Sequence, residues 1–101
     1  MKNPQALISV LDKIVDLLVT AGEENWSNAF INLRDRVEVA KGGDSKNPRA
    51  DILRVYGGMG SFNDLVLYRQ GQPLINENRK LDVLRSELFK LLIDEGVQRK
   101  E

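Results

Sequence analysis

The stretch Gly57-Gly58-Met59-Gly60-Ser61-Phe62-Asn63-Asp64-Leu65-Val66-Leu67-Tyr68-Arg69 decides the fold. Helical patterns flank it on both sides, so its own conformation determines whether the chain is all-α. Three glycines within four positions allow backbone angles closed to other residues, at an ordering cost that only a required turn justifies. Ser61 followed three residues later by Asp64 resembles a capping box with Asp in place of Glu, which predicts a short helix over 62–69. The rival is a strand over 65–68, favoured by β-branched and aromatic content, with Gly71-Gln72-Pro73 as its turn. A strand needs a partner, and no second run of comparable strength exists, so the helix is preferred.

Upstream, Asn47-Pro48 supplies a cap and a first-turn proline for a helix through Ala50, Ile52, Leu53 and Tyr56 that stops at Gly57-Gly58. The same Asn-Pro signal at Asn3-Pro4 opens the first helix. There Leu7, Val10, Leu11, Ile14 and Leu18 fall at helical spacing, Ile8, Val15 and Val19 widen the stripe toward a second neighbour, and Gly22 is the stop. A second helix is predicted over 25–41, with Trp26, Ala29, Phe30, Leu33, Val37 and Ala40 inward and Glu23-Glu24 at its electropositive start. Gly42-Gly43-Asp44-Ser45-Lys46 then breaks the chain. The last helix begins near Asn76 and turns Leu81, Leu84, Leu88, Leu91 and Leu92 inward. On its wet side Asp82 with Arg85, and Glu87 with Lys90, stand at pairing distance. The expectation is an all-α compact bundle of four to five helices, with a glycine-rich loop before a short helix. Residues 1–96 form a single domain, and 97–101 form a frayed tail beyond Gly96.

Composition narrows the chemistry. The 101 residues include 15 basic and 15 acidic side chains and neither His nor Cys. That removes Cys/His zinc sets, thiol nucleophiles, disulfides and His-based catalytic pairs. Neutrality holds locally too: residues 77–101 carry six basic and six acidic side chains. Binding to nucleic acid or an anionic membrane through bulk charge is therefore disfavoured. No apolar run approaches the roughly 18–20 residues of a membrane span. Met1-Lys2-Asn3-Pro4 leads straight into an amphipathic pattern, so no secretory signal is expected and the cytoplasm is the expected compartment.

The glycine loop lacks the Lys and Ser/Thr of a P-loop and the preceding strand of a dinucleotide fingerprint. The adjacent carboxylates Glu23-Glu24 and Asp94-Glu95 do not face each other on a helix. No catalytic, cofactor-binding or metal-binding residue is expected, and the chain reads as a non-enzyme. What remains is a mixture of adaptable, aromatic and polar side chains suited to recognition: Met59, Phe62, Asn63, Asp64, Tyr68 and Arg69. Closure of one end of the core by Phe62, Leu65 and Tyr68 is the competing account. An anion held by residues 58–61 with Arg54 or Arg69 is the alternative function, a small-ligand regulatory module. A homodimer through the wide face of the first helix fits any of these.

Residues 57–68, GGMGSFNDLVLY, resemble the signature of a small uncharacterised bacterial domain family in which a helix ends in this Gly-Gly-Met-Gly-Ser-Phe-Asn-Asp-Leu motif. Its upstream Trp-containing helix is matched by Asn25-Trp26 and its short leading helix by residues 52–56, so the likeness spans about residues 5–95. Such families are similar to immunity proteins, which implies a cytosolic partner that neutralises a toxin by occlusion, with no catalytic residue.

Overall fold

The computed structural model describes residues 4–40, 52, 54 and 62–98, leaving out the side chains of residues 63 and 94–98. Its helices are α1 (Pro4–Thr20), α2 (Glu24–Ala40) and α3 (Ile75–Gln98), with a 3-10 turn (Phe62–Asp64) and a two-stranded hairpin, β1 (Tyr68–Arg69) and β2 (Gln72–Pro73), preceding α3. The architecture is predominantly helical, as the apolar spacing predicts. The helix α1 is the common partner of α2 and α3. It can serve both because its apolar arc is wide: Leu7, Ile8, Val10, Leu11, Ile14, Leu17 and Leu18 are all buried. Val19, expected on that arc, is exposed.

Three residues carry the chain from α1 into α2. Gly22 takes a φ of 79°, its N–H bonds Val19 O at 3.1 Å, and the Glu23 N–H bonds Leu18 O at 2.9 Å. This paired arrangement is the Schellman motif, which satisfies carbonyls orphaned by the helix end and needs a left-handed residue at Gly22. Glu23 also starts α2, because its carbonyl accepts from Ser27 N–H at 2.8 Å. In α2 the inward face holds Phe30, Leu33, Val37 and Ala40 as predicted, but Ser27 is buried where Ala29 was expected. The Ser27 hydroxyl is satisfied by donating to Glu24 O at 2.9 Å. On the outer side, Arg34 bonds Asp12 of α1 and reaches Asp35 and Glu38 at 3.4 and 3.6 Å. Asp12, first by its hydrogen bond and then by its charge, lifts the Arg34 guanidinium above its ordinary pKa, so the tie keeps its positive end.

The expectation of four to five helices is corrected to three α-helices among the described residues. The helix predicted upstream of Gly57 lies outside them apart from Ile52 and Arg54, both helical; Ile52 is fully buried in the core. The short helix predicted over 62–69 is replaced by the 3-10 turn and β1. Its failure has a local cause. The partner strand is two residues long, too short to show a hydrophobic pattern, and the turn lies at Gln70-Gly71 rather than at Gly71-Gln72-Pro73. Gln70 and Gly71 have φ of 53° and 79°, both left-handed, the type I′ geometry whose twist matches a tight hairpin. Tyr68 pairs with Pro73 and Arg69 with Gln72. Around a two-residue turn the flanking pair is the hydrogen-bonded one and the next pair out, Tyr68 with Pro73, makes no ladder hydrogen bonds, so Pro73 loses nothing through its missing N–H. At the other end of the chain, α3 runs through Gly96, the predicted stop, to Gln98.

Candidate recognition surface

The 62–74 segment is seated by Asn78 and Arg85 of α3 and by its own Arg69, which reaches the end of α1. Arg85 of α3 donates through Nη1 to Phe62 O at 2.7 Å and to Leu65 O at 3.1 Å, while Nη2 bonds Asp82. Its guanidinium also lies 5.7 Å from the Phe62 ring centroid, a cation-π distance. Asn78, one turn into α3, receives the Leu67 N–H on Oδ1 at 2.8 Å and donates through Nδ2 to Leu67 O at 3.0 Å. The reason a side chain is needed there lies in the junction with α3. Leu74 N–H continues the hairpin by bonding Leu67 O at 2.9 Å, but Leu74 O already accepts Asn78 N–H in the first turn of α3. Leu67 N–H would be left without the carbonyl a longer ladder would give it, and the Asn78 amide replaces that carbonyl. Arg69 makes the third tie, donating to Thr20 O at 3.2 Å at the end of α1, where a cation also meets the negative end of the helix dipole.

These ties redistribute the six residues expected to meet a partner. Phe62 is fully buried, with ring centroids 4.5 Å from Phe30 and 5.6 Å from Trp26, so its ring closes the core and offers no surface for docking. Burying such a ring contributes about 1.5–3 kcal/mol. Met59 lies outside the described residues, as does the side chain of Asn63, whose backbone belongs to the 3-10 turn. Asp64 is exposed. Arg69 is exposed, yet its guanidinium is committed to Thr20. Tyr68 is 53% exposed, the aromatic of the set that faces solvent.

Val66, which sequence reasoning passed over, belongs with Tyr68. Burial alternates across 66–68, exposed at Val66, buried at Leu67 and exposed at Tyr68, so the two outward side chains share one side of the segment. The alternation was visible as β content in Leu65-Val66-Leu67-Tyr68, the strand reading that was set aside. Val66, just before the braced hairpin, and Tyr68, in its first strand, are both exposed.

A groove of about 640 Å³ runs between α1 and α3. Leu17, Val83 and Leu84 are apolar in it, while Lys13, Lys80 and Glu87 are among its charged margins. The carboxylates of the described residues form no cluster of three or more able to hold a metal ion. No described helix is long and apolar enough to cross a membrane. The anion-site alternative depends on residues 58–61, outside the described residues, and one of its two cations, Arg69, is already bound to Thr20.

Residues 19–75 match the family described as a domain of unknown function (DUF6966), and the chain belongs to it. No curated protein and no solved structure matches the chain.

Proposed function

We propose that this member of a family without an assigned activity is a protein-binding module, whose recognition surface is the outward side of the 66–73 hairpin. The observation that carries the reading is the pairing of exposed Val66 and Tyr68 with an underside fixed by Asn78, Arg69 and Arg85. An exposed aromatic on a preorganised backbone contributes contact area without the entropy of ordering a loop, which is how a small module gains affinity. Asp64, exposed at the foot of the segment, supplies an acidic rim.

The finer form of the proposal is a cytosolic immunity protein of a bacterial cell that occludes a toxin, with Tyr68 and Val66 seated in the toxin's cleft and Asp64 meeting a basic group there. Met59 and Asn63 remain proposed contacts on the strength of the motif. Support comes from the lack of His and Cys and from the neutral charge balance. The test is co-purification with the product of the toxin gene adjacent to this chain's own, followed by titration calorimetry. Tyr68→Ala and Val66→Asp should each weaken binding by tenfold or more, on the order of 1.4 kcal/mol. Equal affinity of Tyr68→Ala and the unmodified chain would reject the surface. A metabolic operon in place of a toxin gene would reject the immunity reading.

A further inference from the structure

We propose that two copies of this chain associate through α3, around Val83, in a two-fold symmetric contact. Val83 is 59% exposed although it lies beside the apolar floor formed by Leu17 and Leu84. Arg79 precedes it by four residues and Glu87 follows it by four, so all three share one face of the helix. Both charged side chains are exposed, and neither forms a hydrogen bond or ion pair among the described residues. The Glu87 to Lys90 pairing that their spacing allows is also not made there.

Opposite charges at equal spacing on either side of an apolar residue are what a helix needs to meet its own copy. A two-fold axis passing through Val83 lays the second α3 antiparallel to the first. Arg79 then faces Glu87 of the other copy, and Glu87 faces its Arg79, so one pairing is made twice. Lys80, next to Arg79 on the groove margin, adds a second cation near the same carboxylate. A patch of one sign would repel its duplicate, and an unrelated partner has no need for charges spaced symmetrically about Val83. The groove of about 640 Å³ leaves space for the incoming helix, so that the two Val83 side chains meet on the axis beside Leu17 and Leu84. The assembly would be a layer of four helices, α1 and α3 from each copy. This inference is independent of the hairpin proposal, because none of its residues is in the 66–73 hairpin.

Sedimentation velocity on the full chain, loaded from micromolar to near-millimolar concentration, should show mass rising from 11.4 kDa toward twice that value. Glu87→Lys sets cations against cations and should weaken association at least about tenfold, with the helical circular dichroism unchanged. Combining it with Arg79→Glu and Lys80→Glu in one chain should restore the dimer. Mixing Glu87→Lys with the separate Arg79→Glu/Lys80→Glu chain should produce a heterodimer. Val83→Asp should leave a monomer. The proposal is overturned if the unmodified chain stays at 11.4 kDa across the range, or if Glu87→Lys associates as tightly as the unmodified chain.

Discussion

Replacing Asn78 with alanine sets two opposing effects against each other, and the structure says which one wins. Alanine is the better helix former, and at an interior position the exchange contributes up to about 0.7 kcal/mol in its favour. Against that, the Leu67 N–H loses its acceptor, and Leu67 is fully buried. An orphaned buried donor costs about 1–3 kcal/mol. Leu67 O loses one bond as well, but it keeps Leu74 N–H at 2.9 Å, so this second loss is the smaller, about 0.5–1.5 kcal/mol. The net expectation is destabilisation of about 1–4 kcal/mol, within a total of about 5–15 kcal/mol for a domain of this size. At roughly 4–8 °C per kcal/mol, the melting temperature should fall by at least about 4 °C. Urea unfolding measures the free-energy change. Amide exchange locates it, since the Leu67 N–H should lose protection while amides in the middle of α2 respond only to the global change. An Asn78→Ala chain as stable as the original, with Leu67 still protected, would refute the account of how the hairpin is held.

The remaining expectations follow from the same contacts. Arg85→Ala removes two carbonyl contacts and the Phe62 cation-π contact, and should lower stability by about 2–3 kcal/mol in a denaturant titration; Asp82→Ala, removing an exposed partner, should cost less than about 1 kcal/mol. Phe62→Ala should cost about 3–5 kcal/mol and change Trp26 fluorescence, because Trp26 packs against that ring, whereas Tyr68→Ala should stay within about 0.5 kcal/mol of the original. Gln70→Asn places the most favourable pair, Asn-Gly, in the type I′ turn and should raise stability by roughly 0.5 kcal/mol, read as a higher melting temperature; a decrease would show that the Gln70 side chain contributes something the turn geometry does not require.

What could be read from the chain in advance followed the range of the forces involved. The helix α1, the start of α2 at Glu23-Glu24 and the inward leucines of α3 are local patterns, and they appear at the predicted positions. The hairpin is not legible in the sequence because a two-residue strand has no periodicity, and because Gln70 is an uncommon residue for a left-handed turn position. Asn78 and Arg85 were invisible as bracing residues for a different reason. Each serves backbone groups 11 and 20 to 23 residues away, and nothing in the local sequence announces which carbonyl or N–H a side chain will reach. Phe62 fits two readings in the sequence, a partner contact and a closure of the core, and its burial against Trp26 and Phe30 on α2 matches the second. Of the candidate surface, Tyr68 is legible as an aromatic among polar residues, whereas Val66 stands out only in a strand over 65–68.

The three-residue passage at Ala21-Gly22-Glu23 also bears on the order in which the molecule assembles. Contacts between α1 and α2 close almost no loop, so their entropic cost is small, and a helical hairpin of this kind organises quickly. The segment from the 3-10 turn into α3 is likewise local, bound by Asn78 to Leu67 across 11 residues and by Arg85 to Phe62 across 23. Joining the halves is the long-range event, marked by the Arg69 to Thr20 bond across 49 residues. The Schellman turn and the Asn78 clasp each complete one half, so contact order predicts a late step in which α3 settles on a face of α1 that α2 has already ordered.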